Sequence, residues 1–263
     1  MIEEVVLGAI QGIAEWLPVS SEGLIALAEI NIFKKTGIED IIELALFLHL
    51  GTFLAALIYL RKDVITLIKT FFSYKSAEEK DRVTLKFLVI STIISGILGF
   101  GLLKLLIQLG EQIELSGKVI TGAIGLLLIG TAALQIKRKE EAHRKVEEIN
   151  WKDSIALGIA QGIAVLPGLS RSGLTIGALL LRKINDTDAL RLSFLMSLPI
   201  VLAGNIILNI KSFVWSLELF VGLLFSFLFG IVTIHILLTL ARKVNLGYFI
   251  LIFGLIMIGA AFI

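Results

Sequence analysis

Cysteine is absent from this chain of 263 residues, and charged residues are scarce. The absence of cysteine excludes disulfide bonds, thiolate metal sites and thiol nucleophiles. Only 17% of the residues are charged whereas 57% are hydrophobic, and the mean hydropathy is +0.94. Such a composition is typical of an integral membrane protein and argues against a soluble one.

Long apolar stretches carry most of this hydrophobicity. A helix of about 20 residues spans the hydrocarbon core of a bilayer. Several stretches reach that length with few or no charges, so we predict six transmembrane helices in an all-α polytopic fold. The predicted spans are residues 41–60, 85–107, 116–136, 190–210, 214–240 and 246–263.

A repeated motif stands apart from the six spans. Residues 7–24, LGAIQGIAEWLPVSSEGL, recur as residues 157–174, LGIAQGIAVLPGLSRSGL, with an offset of 150 at Gln11 and Gln161. Both copies are broken by proline and serine near the middle. Irregular backbone at membrane depth is tolerated only where protein buries it or water fills a cavity. We therefore predict that each copy is a re-entrant helical hairpin rather than a span.

The two hairpins divide the chain into two repeats of one membrane domain. The predicted hairpins cover about residues 5–32 and 155–183, and each is followed by three spans. The first repeat is then residues 1–136, the second is residues 155–263, and residues 137–154 form a cytoplasmic linker. Paired broken segments of this kind indicate a binding site at the interface of the repeats.

The distribution of basic residues predicts the orientation. Seventeen of the 24 Lys and Arg residues fall on one side of this arrangement, in loops 61–84, 137–154 and 182–191 and at Arg242 and Lys243. By the positive-inside rule this side is cytoplasmic, so both termini lie outside. Because each repeat has three spans, an odd number, the second hairpin enters from the face opposite the first. The predicted architecture is an inverted-topology repeat.

Arg171 is the strongest single indication of a site. A buried arginine within an apolar segment is costly and therefore typical of function. A helix starting near Ser170 offers free N–H groups to an anion, and the guanidinium matches phosphate oxygens. The surrounding motif adds hydroxyls and close backbone approach through Ser172, Gly173 and Thr175. The alternative is that Arg171 only pairs with Glu15 to hold the hairpins together.

Acidic residues occur only in the first copy of the motif. Gln11 and Glu15 are four residues apart and share one helix face. The carboxylate of Glu15 is expected to bind a divalent metal, to act as a general base, or to neutralise Arg171. Glu22 is either a second metal ligand or a residue of the outer water surface.

Three further side chains are candidates. Ser20 and Ser21 precede a helical run, where serine is a preferred N-cap. They are expected to cap the helix, to contact phosphate, or in the case of Ser21 to act as a nucleophile, although no base lies nearby in sequence. His49 lies within a predicted span, and is either a site residue or a satisfied histidine of the bundle.

Together these residues resemble the undecaprenyl-diphosphate phosphatase family, also called the bacitracin-resistance protein family. The first family motif is matched by Gln11, Glu15, Pro18, Val19, Ser20 and Ser21. The second is matched by Pro167, Gly168, Ser170, Arg171, Ser172, Gly173 and Thr175. Residues 49–52 and 193–199 are also similar to this family, so the resemblance covers almost the whole chain.

The resemblance implies hydrolysis of undecaprenyl, or another polyprenyl, diphosphate to the monophosphate at the outer face of the membrane. This reaction recycles the lipid carrier for cell-wall or glycan synthesis, with Mg²⁺ or Ca²⁺ as cofactor. The expected partners are the lipid and the membrane but no nucleic acid, and a homodimer is compatible with the resemblance. The predicted catalytic residues are Glu15, Ser21 and Arg171, the substrate-binding residues Gln11, Ser20, Ser170, Ser172, Gly173, Thr175 and His49, and the metal ligands Glu15 and Glu22.

One position departs from the family pattern. Leu24 stands where the family usually has a histidine, and leucine neither transfers a proton nor attacks phosphorus. Three routes remain: water activated by metal and Glu15, attack by Ser21 with Glu15 as base, or substitution by His49. The departure also keeps open a lipid-phosphate transporter or flippase of the same fold, which would move its ligand without consuming it.

Overall fold

The computed structural model describes residues 1–34, 38–109, 122, 125–126, 128–130, 132–133, 136, 144–166, 169–208, 216–243 and 246–261. The described residues form α-helices and no strands, as the sequence predicts. In chain order the helices are α1 (Ile2–Ala14), α2 (Ser21–Asn31), α3 (Ile38–Tyr59), α4 (Arg61–Phe72), α5 (Glu79–Leu109), α6 (Trp151–Ile163), α7 (Arg171–Leu181), α8 (Asp186–Leu208), α9 (Leu217–Leu240) and α10 (Leu246–Ala261).

Three of these helices are long and apolar enough to cross a membrane. The qualifying stretches are Glu79–Leu105, Asp186–Ile207 and Leu217–Leu240. Glu43–Tyr59 qualifies only together with Arg61–Phe72, and the two helices are bent by 78° relative to each other at the short break between them. These helices support a multi-pass membrane protein.

The remaining predicted spans are less complete. Residues 246–261 of the predicted span at 246–263 are described, and they form one apolar helix of 16 residues. Most of the predicted span at 116–136 lies outside the described residues, and so do residues 137–143 of the predicted linker. Pro167 and Gly168 also lie outside them.

Each predicted hairpin consists of two short helices separated by a break. We call α1 with α2 the first hairpin, and α6 with α7 the second hairpin. The second helix of each begins after a serine cap, as predicted for at least one serine of the first turn. Ser20 Oγ accepts a hydrogen bond from the Gly23 N–H at 3.2 Å, and Ser170 Oγ accepts one from the Gly173 N–H at 3.1 Å. The repeated sequence therefore builds the same local structure twice.

The first helix of each hairpin packs on a long helix of the other half of the chain. Helix α1 lies along α9, and α6 lies along α5. Glycines make both contacts close: a Cβ on Gly8 would lie 2.3 Å from the Gly222 carbonyl oxygen, and one on Gly158 would lie 2.7 Å from the Ile94 Cβ. The crossed packing brings the turns of the two hairpins together at the centre of the protein.

Candidate active site

A cavity of about 270 Å³ lies where the two turns meet. Its polar end is formed by the turns and by α3. Its other walls come mainly from α5, α6 and α8 and are mostly apolar, although Ser95, Gln161 and Asn205 also line them. The polar lining includes Glu15, Ser20, Ser21, Glu22, His49, Ser170, Arg171 and Ser172. Most of the predicted site residues therefore share one cavity, although they come from three distant parts of the chain.

The Glu15 carboxylate is the centre of this polar end. It is 7% exposed and accepts hydrogen bonds on both oxygens. Arg171 Nη2 donates to Oε1. Oε2 faces three donors: Gln11 Nε2 at 2.9 Å, Ser21 Oγ at 3.0 Å and His49 Nε2 at 3.1 Å. Burial of this charge is offset by one guanidinium and three further donors.

Arg171 is held from three directions. Besides Glu15, its guanidinium contacts the Ser193 carbonyl oxygen at 3.4 Å and lies 5.9 Å from the centre of the Trp16 ring system. This distance is within the range of a cation–π interaction. Trp16 in turn packs edge-on against Phe194, with 4.8 Å between ring centres. Sequence analysis did not identify Trp16, although an aromatic residue directly after a buried glutamate was a usable signal.

His49 contributes a second donor to Glu15 from the neighbouring helix α3. Its Nδ1 lies 2.6 Å from the Ala45 carbonyl oxygen, while its Nε2 faces the Glu15 carboxylate. Both ring nitrogens therefore face acceptors. A neutral imidazole donates from one of these nitrogens only, and which one depends on the tautomer.

The hydroxyl groups of the second hairpin tie the two turns together. Ser170 Oγ donates to the Leu17 carbonyl oxygen at 3.3 Å, and Ser172 Oγ donates to the same oxygen at 2.5 Å. The two hydroxyl oxygens are 3.2 Å apart. Thr175 is fully buried outside the cavity lining, and its Oγ1 lies 2.6 Å from Ser193 Oγ. These hydroxyls position Arg171 through the packing of the turns.

Two more predicted substrate-binding residues do not line the cavity. Gly173 lies against the first turn, where an added Cβ would be 3.2 Å from the Pro18 Cβ. Its lack of a side chain allows the two turns to approach. Gln11 is fully buried and reaches the site only through its hydrogen bond to Glu15.

Comparison with known proteins identifies the family. The sequence profile described as "Bacitracin resistance protein BacA" matches residues 4–260. The chain belongs to this family. The resemblance seen in the two motifs is thereby confirmed, and it extends over nearly the whole chain.

Relatives from several organisms are similar to this chain over nearly their full lengths. An undecaprenyl-diphosphatase of Methanococcoides burtonii is 41% identical over 267 residues, which cover 99% of this chain and 98% of the relative. One of Methanothrix thermoacetophila is 36% identical, with 97% and 94% covered. One of Haloarcula marismortui is 35% identical, with 95% and 93% covered.

Leu24, which stands where a histidine was expected from the resemblance, lies outside the cavity lining. Leu24 is 40% exposed and does not line the cavity, whereas His49 does. The imidazole next to Glu15 is therefore supplied by α3 rather than by the first hairpin. Its position 34 residues further along the chain from Glu15 explains why local sequence spacing gave it no clear role.

The two predicted metal ligands differ in how well they fit a divalent cation. No group of three or more His, Asp or Glu side chains suited to a metal occurs in the described part of the chain. The Glu15 oxygens already accept bonds from four donors, one of them a guanidinium, so Glu15 does not fit as a ligand in this arrangement. Glu22 is exposed in the cavity. It fits the type of site in which one carboxylate and substrate phosphate oxygens hold Mg²⁺.

Proposed function

We propose that this protein is an integral membrane phosphatase that hydrolyses undecaprenyl, or another polyprenyl, diphosphate to the monophosphate and inorganic phosphate. The reaction recycles the lipid carrier used in cell-wall or glycan synthesis. One observation supports this most directly: Ser21, Glu15 and Arg171 meet at the polar end of a cavity whose other walls are mostly apolar. A polyprenyl diphosphate likewise has a charged end, which would bind at the polar end of the cavity, and an apolar chain, which would lie along the other walls.

Arg171 is the proposed diphosphate ligand. Its planar guanidinium donates to phosphate oxygens in pairs, and it lines the cavity. His49 Nε2 lies beside the Glu15 carboxylate at 3.1 Å and lines the same cavity, so it adds a second nitrogen group near the bound anion. A divalent cation bound at Glu22 would further neutralise the phosphate charge.

Binding of the diphosphate activates Glu15. As long as Arg171 donates to Oε1, the carboxylate is stabilised as an anion and is a weak base. A diphosphate competes for the same guanidinium, and transfer of Arg171 to phosphate leaves Glu15 with fewer donors. Glu15 then becomes the stronger base at the moment when a substrate is present.

Ser21 is the proposed nucleophile. Its hydroxyl already donates to Glu15 Oε2 at 3.0 Å, the geometry of a nucleophile paired with its base. Ser21 Oγ attacks the terminal phosphorus, its proton passes to Glu15, and the bond to the bridging oxygen breaks. The lipid monophosphate leaves with that oxygen. Water then hydrolyses the phosphoserine, which releases inorganic phosphate and restores the hydroxyl.

The proposed fold is six spans with two re-entrant hairpins in inverted topology, with the termini outside. The crossed packing of α1 on α9 and of α6 on α5 supports it, because a two-fold relation between the repeats exchanges these two contacts. The absence of cysteine permits a direct test. Asn31→Cys should react with a membrane-impermeant maleimide in intact cells, and Ser76→Cys should react only after permeabilisation.

The activity is tested by phosphate release from a polyprenyl diphosphate by the purified protein in detergent. Wild type is expected to be active with Mg²⁺ or Ca²⁺ and inactive with EDTA. Glu15→Gln, Ser21→Ala and Arg171→Ala should each lose activity, while Ser76→Ala, an exposed serine remote in sequence from both turns, should keep it. Phosphate trapped covalently on wild type but not on Ser21→Ala would support the nucleophile. Movement of intact diphosphate between leaflets without release would instead indicate transport.

A further inference from the structure

Helix α4 has an apolar stripe on the face that is not packed against the protein. Ile65, Ile68 and Phe72 are 50%, 53% and 80% exposed, and their spacing of three and four residues places them on one helix face. Phe71, which follows closely on the same side, is also exposed. We call Ile65, Ile68, Phe71 and Phe72 the α4 stripe. A contiguous group of exposed apolar side chains indicates contact with a membrane or with another protein.

The opposite face of α4 is held by the protein. Asp63 forms an ion pair with Arg191 of α8. Leu67 packs against the main apolar core, and Thr70 is buried. A rotation of α4 that buried its stripe would break these contacts. The α4 stripe is therefore directed to a partner other than the helices on which α4 packs.

The position of α4 identifies a bilayer surface as that partner. Helix α3 ends at Tyr59 and α4 begins at Arg61, with a bend of 78° between them. Helix α5 then begins at Glu79, the first residue of a stretch that is long and apolar enough to span a membrane. A short amphipathic helix that joins two apolar helices at a steep angle lies near the plane of the bilayer surface. Its apolar side chains then reach the boundary between headgroups and acyl chains.

Basic residues beside the stripe indicate the charge of the lipid. Four of the five charged residues between positions 61 and 76 are basic. They are Arg61, Lys62, Lys69 and Lys75, and all four are exposed. The acidic one, Asp63, is paired with Arg191. Lys62 and Lys69 are seven residues apart, about two helical turns, and so lie on the same flank of the stripe. Basic side chains next to membrane-inserted apolar residues attract anionic headgroups.

We propose that α4 docks on an anionic lipid surface. Ile65, Ile68 and Phe72 insert at the boundary between headgroups and acyl chains, and Lys62 and Lys69 bind the phosphate groups of anionic phospholipids. A second copy of this chain is a poorer partner for the same face. A symmetric contact through the α4 stripe would bring the basic residues of two copies together, which like-charge repulsion opposes.

The test uses single thiols in the cysteine-free chain. Ile68→Cys and Phe72→Cys carry a bimane label in phosphatidylcholine nanodiscs that contain doxyl-labelled phosphatidylglycerol or, at the same mole fraction, doxyl-labelled phosphatidylcholine. The anionic lipid should quench both labels at least twofold more strongly. The matched control is Ile97→Cys, because Ile97 is 72% exposed on α5 and residues 91–103 contain no basic residue. The two lipids should quench the label at this position equally.

A charge variant completes the test. Lys62→Gln with Lys69→Gln should abolish the preference at Ile68→Cys and leave quenching by the phosphatidylcholine unchanged. Equal quenching by the two lipids at both stripe positions, or an unchanged preference in the charge variant, would overturn the proposal. So would the absence of quenching by either lipid, and disulfide-linked dimers of Ile68→Cys would then identify a second copy as the partner. None of these measurements uses turnover, so their outcome is independent of the proposed phosphatase activity.

Discussion

The two hairpins have the same backbone features but carry different charged groups. Each has a glycine-rich first helix, a glutamine near its end and a serine cap on its second helix. At the position of Glu15 the second hairpin has Val165, and at the position of Ser21 it has Arg171. The repeated residues thus build the scaffold, whereas the residues that differ supply the proposed base, the proposed nucleophile and the arginine.

The hairpins also differ at their beginnings. Asp153, near the start of α6, is fully buried and accepts hydrogen bonds from Arg144 at 2.7 and 3.0 Å and from Arg182 at 2.5 Å. Arg144 also donates to the carbonyl oxygens of Arg182 and Glu148. These bonds fix the described end of the predicted linker to the second hairpin. Asp153, Arg144 and Arg182 do not line the main cavity, so we interpret this cluster as a structural tie that holds the chain together. Glu15 and Arg171 line the cavity and form the candidate site.

The largest effect should come from removing the charge of one carboxylate at a time. Glu15→Gln should lower kcat/KM per folded molecule by about 10²–10⁴-fold, the usual contribution of a general base, and should also lower stability because Arg171 loses its buried partner. Asp153→Asn should retain activity per folded molecule but lose about 3 kcal/mol of stability, because two arginines lose their buried partner. Phosphate release and thermal unfolding in detergent measure both effects. If Glu15→Gln and Asp153→Asn lowered kcat/KM equally, Glu15 would have no more part in the reaction than the structural residue Asp153.

The second prediction compares the arginines. Arg171→Lys keeps the charge but loses the paired donors, and should reduce kcat/KM by about 10²-fold. Arg144→Lys should alter only the unfolding temperature, since Arg144 contacts Asp153 and backbone carbonyls. Full activity of Arg171→Lys would show that a point charge is sufficient and that Arg171 acts mainly as the partner of Glu15.

The sequence was sufficient for those parts of the site that follow from local pattern. Proline and serine within apolar segments predicted the two breaks, and the rarity of buried charges identified Glu15 and Arg171. Gly173 and Thr175 were predicted to bind substrate because they belong to the same motif. The structure instead places them on the faces of α7 that contact the first turn and α8. Which face of a helix meets a cavity depends on its neighbours, and these neighbours are remote in sequence.

The same limit applies to the contribution of other helices. The imidazole of His49 and the carbonyl of Ser193 reach the site through packing of α3 and α8 against the hairpins. Hydropathy predicts that these helices are apolar but not which residues face inwards.

The third prediction uses pH to test the tie in the second hairpin. Burial alone raises the pKa of the Asp153 carboxyl, but the hydrogen bonds from Arg144, the Asn150 N–H and Arg182 outweigh burial and lower it below the ordinary value of 3.8. A lowered pKa stabilises the fold above the unfolded-state value and ceases to do so as pH falls through the folded-state value. The difference in unfolding temperature between wild type and Asp153→Asn should therefore be full at pH 7 and shrink below about pH 4. A difference independent of pH would contradict this.

The smallest expected effect separates the two serine caps. Ser20→Ala loses one cap bond and should cost about 1 kcal/mol of stability. Ser170→Ala loses the equivalent cap together with a hydrogen bond to the Leu17 carbonyl oxygen, and should cost about 2 kcal/mol. Denaturant unfolding in detergent measures the difference, with the threonine variants of both positions as controls that retain a capping hydroxyl. If both variants lost the same free energy of unfolding, the hydrogen bond from Ser170 to Leu17 would contribute nothing to joining the turns. Ser172 and Arg171 would then join them, and the two serine caps would be equal in energy.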